Sequence, residues 1–159
     1  MRQTAKEVLF SAMEKDDRII LLVGDLGFGM MDKIRDKFSP KRFINCGSAE
    51  QLMLGMAVGL ALSGKIPICY SITSFLIRRP YEIWKLYLND EKIPVKCIGG
   101  GRSKDYLADK FTHWSEDAKY VLDGWENIEQ FWPETKEDIP LLMDKFLYNN
   151  KPSFLSLKR

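Results

Sequence analysis

Only one histidine, His113, occurs among the 159 residues, so a metal centre built on several histidines is excluded. Cysteine is scarce and odd in number. Cys46, Cys69 and Cys97 lie in or beside apolar runs, and no pair has metal-ligand spacing. They read as buried thiols of a reducing compartment. An excess of one charge is missing as well. The 24 Lys and Arg against 22 Asp and Glu leave a net +2, spread evenly, which gives no footing for a nucleic-acid partner. No apolar run is long enough to cross a bilayer, because Lys65 ends the longest. The stretch MRQTAKEVLFSAMEKDD reads as an amphipathic helix and lacks the apolar core of a signal peptide. These absences lead to the expectation of a cytoplasmic protein with no nucleic-acid and no membrane partner. Linkers, repeats and low-complexity stretches are lacking too, so residues 1–159 are expected to form one domain.

What is present is alternation. Thr4 can cap a first helix that carries Val8, Leu9, Ala12 and Met13 on one face. RIILLVGD is a continuous apolar run, as in a strand buried on both faces. There follow a helix in MDKIRDKF, a strand in RFINCG, a helix in AEQLMLGMAVGLALSG and a strand in IPICYSI. FLIRRPYEIWKLYLNDEK is expected to be one helix with Pro80 in its first turns. IPVKCIGGG is the next strand, and SEDAKYVLDG a helix capped by Ser115 and stopped by Gly124. NIEQFWP, TKEDIPLLMDKFLYNN and PSFLSLKR complete the chain as strand, helix and strand. The expected fold is α/β: a single three-layer domain with a mainly parallel six-stranded sheet and helices on both faces. The helix that starts at Glu50 is apolar nearly all round, which suits a deep or interface position. Its Gly55 and Gly59, one turn apart, permit close approach of another backbone.

The glycine-rich turns GDLGFG and GGGR match neither a dinucleotide fingerprint nor a phosphate loop, and tight strand-to-helix turns account for both. Glu50 stands where a polar turn becomes an apolar helix. Two readings are open. It is a helix-start charge, worth well under ~1 kcal/mol, or it is a carboxylate desolvated among Leu, Met and Gly, a setting that suits proton transfer. His113, in LADKFTHWSED, is compatible with a structural role as well as a catalytic one.

The stretch NCGSAEQLMLGMAVGLALSGKIPICYSITSFLIRRPYEIW resembles the pyrimidine-binding domain of transketolases. That family carries an N-x-G-[IS]-A-E-Q segment before a Gly/Ala-rich helix, then a strand and an F-L-x-x-R-[AP]-[FY]-[ED] segment. VGDLG, DKFTHWSEDAKYVL and PSFLSLKR are similar to further family segments, so the resemblance covers nearly the whole chain in order. It is nearest to transketolases split over two genes and to deoxyxylulose-phosphate synthases.

The resemblance implies thiamine diphosphate chemistry. Glu50 matches the glutamate that hydrogen-bonds a ring nitrogen of the cofactor's aminopyrimidine and so activates it. Phe75 matches the aromatic that stacks on that ring, worth about 0.5–1.5 kcal/mol beyond area burial. Ile72 stands where related enzymes often carry Tyr or Phe, and Asp25, in the Asp-Leu-Gly turn, joins the cofactor-side residues. His113 and Asp109 match substrate-side residues. Arg78 or Arg79 is placed to meet a substrate phosphate or a partner chain, Arg78 being the residue assigned to substrate. DKFTHW replaces the usual D-G-P-T-H-Q, so Lys110 and Phe111 make that loop bulkier.

The family's G-D-G…N segment, which holds the diphosphate and its Mg²⁺ (or Ca²⁺), has no counterpart here. The implied partner is therefore a separate diphosphate-binding subunit, in an α2β2 assembly acting on a small sugar or keto substrate. Two other expectations stand beside the ketol transferase. One is a subunit of a thiamine diphosphate-dependent 2-oxo acid decarboxylase or dehydrogenase, and the other a non-catalytic regulatory subunit of the same fold.

Overall fold

The computed structural model describes residues 1–26, 29 and 31–159. Six strands, β1 Ile19–Val23, β2 Phe43–Asn45, β3 Ile66–Ile72, β4 Lys96–Gly100, β5 Glu129–Phe131 and β6 Ser153–Leu157, form one sheet in the order β2-β1-β3-β4-β6-β5. Every pairing is parallel, so the sheet is parallel throughout rather than mainly so. All residues of β1, β4 and β6 are buried. That is why, apart from Lys96 at the start of β4, their sequences read as apolar or small-residue runs without alternation.

Successive strand residues still point to opposite faces, and they sort the core into two layers. Ile19, Leu21, Val23, Ile68, Tyr70, Ile98 and Leu155 pack against helices α1 Arg2–Lys15, α2 Asp32–Phe38 and α7 Asp138–Tyr148. Ile20, Leu22, Cys69, Cys97 and Phe154 pack against α3 Glu50–Leu62, α4 Thr73–Arg78 and α6 Ala118–Asp123. The three-layer arrangement with helices on both faces is the expected one. Each buried Leu, Ile or Phe contributes roughly 1.5–3 kcal/mol relative to its exposed state.

Four local expectations are corrected. Thr4 does not cap α1, which begins at Arg2 without a side-chain cap, so Thr4 lies inside the first turn. Ser115 does not cap α6. It is buried and bridges to Ser103, while Asp117 occupies the cap position. RFINCG supplies a strand of only three residues. The long helix expected over 75–92 is interrupted. α4 ends at Arg78, Pro80 precedes the single turn α5 Tyr81–Ile83, and Trp84–Asp90 continues as a π-helical segment. Proline has no N–H to offer the preceding turn and clashes with it, so the backbone, still helical at Arg79, departs at Pro80, with φ −95° and ψ 32°. Trp84 steadies the broken element by donating from Nε1 to the Leu76 carbonyl, 2.8 Å away, and by stacking on Trp125.

Candidate active site

The chain runs from β1 outward to β2, then returns to place β3 on the other side of β1. This reversal of strand order makes a switch point at the carboxyl ends of β1 and β3, the place where the crevice of an open α/β sheet binds ligands. Gly24 and Asp25 leave β1 there, Glu50 begins α3 there, and Ser71 and Ile72 end β3 there.

Glu50 is 1% exposed, so its carboxylate is inside the molecule. A buried carboxylate needs partners, and both oxygens have one. Ser71 Oγ donates to Oε1 at 2.7 Å, and Arg79 Nη1 donates to Oε2 at 2.5 Å. Ser71 follows Cys69 by two positions, which turns it to the α3 face. Gly24 makes the space: a Cβ on it would lie 2.9 Å from Ser71 Oγ and 3.1 Å from Glu50 Oε1.

Arg79 is bound on a second side. Its guanidinium carbon lies 3.9 Å from the centroid of the Phe75 ring, a cation on an aromatic face. Phe75 also meets His113 edge-on, with centroids 4.8 Å apart at 66°. Glu50, Arg79, Phe75 and His113 thus form one continuous cluster drawn from α3, α4 and the loop after β4.

That loop is tied down at several points. Ser74 Oγ donates to the Thr112 carbonyl at 3.1 Å, and Ser103 pairs with Ser115. Thr112 Oγ1 donates to the Asp109 carbonyl at 3.1 Å and lies 2.9 Å from His113 Nδ1. The direction of the Thr112–His113 bond follows the tautomer of the imidazole. Lys110 adopts φ 58°, the left-handed region, and Asp109 and Phe111 are exposed on either side of it.

The remaining sequence-predicted residues are placed as follows. Ile72 is buried at the end of β3, next to Ser71. Asp25 is exposed at φ 52°, and its N–H donates to Asn45 Oδ1 at 3.3 Å. Arg78 does not reach the cluster but pairs with Asp117 at 2.7 Å, joining α4 to the start of α6. Of the two adjacent arginines it is Arg79 that meets Glu50. The GDLGFG turn runs through residues 27 and 28, which lie outside the described residues. The sequence reading missed Ser71 and Gly24. A serine interrupting the apolar IPICYSI strand was the signal for the first; none marked the second.

The thiols are not part of this chemistry. Burial, followed by the neighbouring Cys97, pushes the Cys69 thiol well above its ordinary value, and burial pushes Cys46 up to about 11. Neither is a thiolate at neutral pH. Among the described residues no group of three His, Cys, Asp or Glu side chains could hold a metal, and no helix is long and apolar enough to cross a membrane.

A parallel six-stranded sheet with a buried carboxylate at its switch point defines an α/β ligand-binding domain. The whole chain, residues 1–159, matches the family described as transketolase, pyrimidine binding domain, and the protein belongs to that family. It is 28% identical over 159 residues to the 6-deoxy-6-sulfo-D-fructose transketolase subunit SqwH of Clostridium sp. (strain MSTE9), covering 100% of this chain and 49% of that protein. It is 32% identical over 118 residues to one of the subunits of the apulose-4-phosphate transketolase of Actinobacillus succinogenes, covering 74% of this chain and 38% of that protein. The chain therefore spans half or less of the length of these relatives. In fold it is similar to a split-gene transketolase solved as an inactive beta4 tetramer, with TM-score 0.86 and 24% identity over 99% of this chain and 50% of that one. Transketolase from Campylobacter jejuni gives TM-score 0.89 at 18% identity, over 99% of this chain and 25% of that one.

Proposed function

We propose that this chain is the pyrimidine-binding subunit of a split, thiamine diphosphate-dependent, transketolase-like enzyme. It transfers a two-carbon ketol unit from a sugar or keto donor to an aldehyde acceptor. The observation that carries the reading is the Glu50 carboxylate, 1% exposed at the switch point and held between Ser71 and a cation lying on Phe75. The donor set suits the aminopyrimidine half of the cofactor: a buried carboxylate for a ring nitrogen and an aromatic face for a planar ring. It does not suit the diphosphate and its metal, which are assigned, as Mg²⁺ or Ca²⁺, to the partner subunit.

When bound, thiamine diphosphate supplies the nucleophilic carbon that takes up the ketol unit. The roles proposed for the protein's own groups are these. Glu50 holds or releases a proton at a carboxylate oxygen, oriented by Ser71. Phe75, Ile72 and Asp25 form the cofactor side of the crevice. His113 moves protons at substrate oxygens. Asp109 is assigned to the substrate side, and so is Arg78, which would exchange its Asp117 partner for a substrate phosphate. General acid–base assistance of this kind is worth about 10²–10⁴-fold.

The partner surface is read from α3. Leu52, Gly55, Met56 and Gly59 are exposed along one side of a helix with no charge after Glu50. A small, apolar stripe suits close contact with a second helix, and an α2β2 assembly would complete the site across it. The test is co-expression with a candidate diphosphate-binding subunit, followed by a donor and acceptor screen with thiamine diphosphate and Mg²⁺. Ketol transfer is expected from the complex and not from this chain alone. A lipoyl-dependent oxidation of a 2-oxo acid by the complex would replace the reading with the dehydrogenase one.

A further inference from the structure

Arg79 makes two contacts at once, and both involve groups that the proposed function reserves for the cofactor ring. Its planar guanidinium lies 3.9 Å from the Phe75 centroid, and its Nη1 donates to Glu50 Oε2 at 2.5 Å. An aminopyrimidine is likewise a planar group that presents a face and a hydrogen-bonding edge. Two planar groups cannot lie on the same aromatic face, so the guanidinium and the ring compete for Phe75. We propose that Arg79 is a placeholder for the aminopyrimidine: it occupies the seat and compensates the Glu50 charge until the cofactor displaces it. The inference rests on the functional reading above.

Several features suit the role. Glu50 is 1% exposed, and a bare buried carboxylate would be strongly destabilising in an empty site. Arg79 compensates it without being buried itself, since its side chain is 42% exposed. It can therefore leave into open space without unpacking the core. It stands one residue past the end of α4 and directly before Pro80, with its own N–H still bound to the Phe75 carbonyl, so the backbone beneath it is held while the side chain moves. Arg78, its neighbour, is fixed to Asp117 and does not compete for the seat. Ser71 keeps its hydrogen bond to the other carboxylate oxygen, so Glu50 stays oriented while its second partner changes.

The exchange has a signature that a merely structural ion pair lacks. Removing Arg79 harms the empty protein and helps the cofactor. The experiment uses the complex of this chain with its diphosphate-binding partner, as wild type, Arg79→Met and Arg79→Lys. Thiamine diphosphate binding is followed by stopped-flow fluorescence and by calorimetry, and thermal unfolding is measured with and without saturating cofactor. Arg79→Met is expected to bind thiamine diphosphate about tenfold more tightly and to associate faster. Its cofactor-free melting temperature should fall by roughly 5–10 °C, and saturation should restore most of that loss. Arg79→Lys keeps the charge but not the plane, and should fall between the two.

A measurement on the free chain supports the variants. The Arg79 side-chain NMR signal should be shifted upfield by the Phe75 ring and lose that shift in Phe75→Leu. Weaker cofactor binding in Arg79→Met, an equal thermal gain from cofactor in wild type and Arg79→Met, or an unshifted Arg79 signal would each overturn the placeholder. A wild-type complex that binds no thiamine diphosphate would instead overturn the functional reading on which it stands.

Discussion

Gly24, just past the end of β1, and Ser71, in the neighbouring β3, approach so closely that a methyl group on the first would lie 2.9 Å from the hydroxyl of the second. That hydroxyl is the one that holds Glu50. The missing side chain is thus part of how the carboxylate is aimed. Gly24→Ala is expected to cost about 1–3 kcal/mol of stability by overpacking and to lower turnover of the assembled enzyme by tenfold or more. Urea unfolding of the free chain and steady-state kinetics of the complex check the two halves. Unchanged turnover would separate Gly24 from the site.

Glu50→Gln should abolish nearly all turnover, by at least about 10²-fold, while the circular dichroism of the free chain is retained. An amide keeps the shape and loses the proton exchange. Hydrogen–deuterium exchange at the thiazolium carbon of bound cofactor should slow in parallel. Near-normal turnover would remove the central role given to Glu50.

His113→Ala should behave differently. His113 meets Phe75 at the ring edge and makes no contact with Glu50 among the hydrogen bonds of the site. A loss of roughly 10–10³-fold in kcat/KM is expected, with thiazolium exchange and cofactor affinity barely changed. If exchange slows as much as in Glu50→Gln, the division of labour is wrong.

Gly59 has open space where a Cβ would point. Gly59→Leu should therefore leave the free chain as stable as before or more so, by up to about 1 kcal/mol from helix propensity. The same change should prevent association with the partner subunit, read by analytical ultracentrifugation. A complex of normal affinity would move the interface away from this stripe.

Lys96 gives a pH test far from the crevice. It begins β4, at the end of the strand opposite the site, and donates from Nζ to the Lys151 carbonyl at 2.6 Å. Burial pushes its ammonium down from 10.5 to about 8. Below pH 8 the lysine is charged in both folded and unfolded chains. Between about 8 and 10.5 only the unfolded chain keeps the proton, so stability rises with pH through that window. The gain approaches about 3 kcal/mol. Cys46 and Cys69, whose thiols are raised, pull the other way above pH 9. The difference between wild type and Lys96→Met cancels their contribution. Urea titrations of both at pH 7.5 and 10 should show wild type gaining on the variant.

The sheet was readable because buried parallel strands have no solvent face: IILLV and IPICYSI admit no charge. The broken helix was not, because apolar spacing continues across Pro80 while the backbone does not. In the site, Glu50, Phe75 and His113 could be singled out from local motifs. The partner of Glu50 could not, since the ion pair spans 29 residues and joins two separate elements. Arg78 and Arg79 are equivalent as letters. Only the ~100° turn between successive helical residues sends one to Asp117 and the other to Glu50.

β6, Ser153–Leu157, lies between β4 and β5 although it follows both in the chain. On a ribosome, β5 emerges before the strand that will join it to the rest of the sheet. Until β6 inserts, β4 presents a bare edge and β5 has no neighbour at all. The nascent chain must therefore wait with two unsatisfied strand edges open to other molecules.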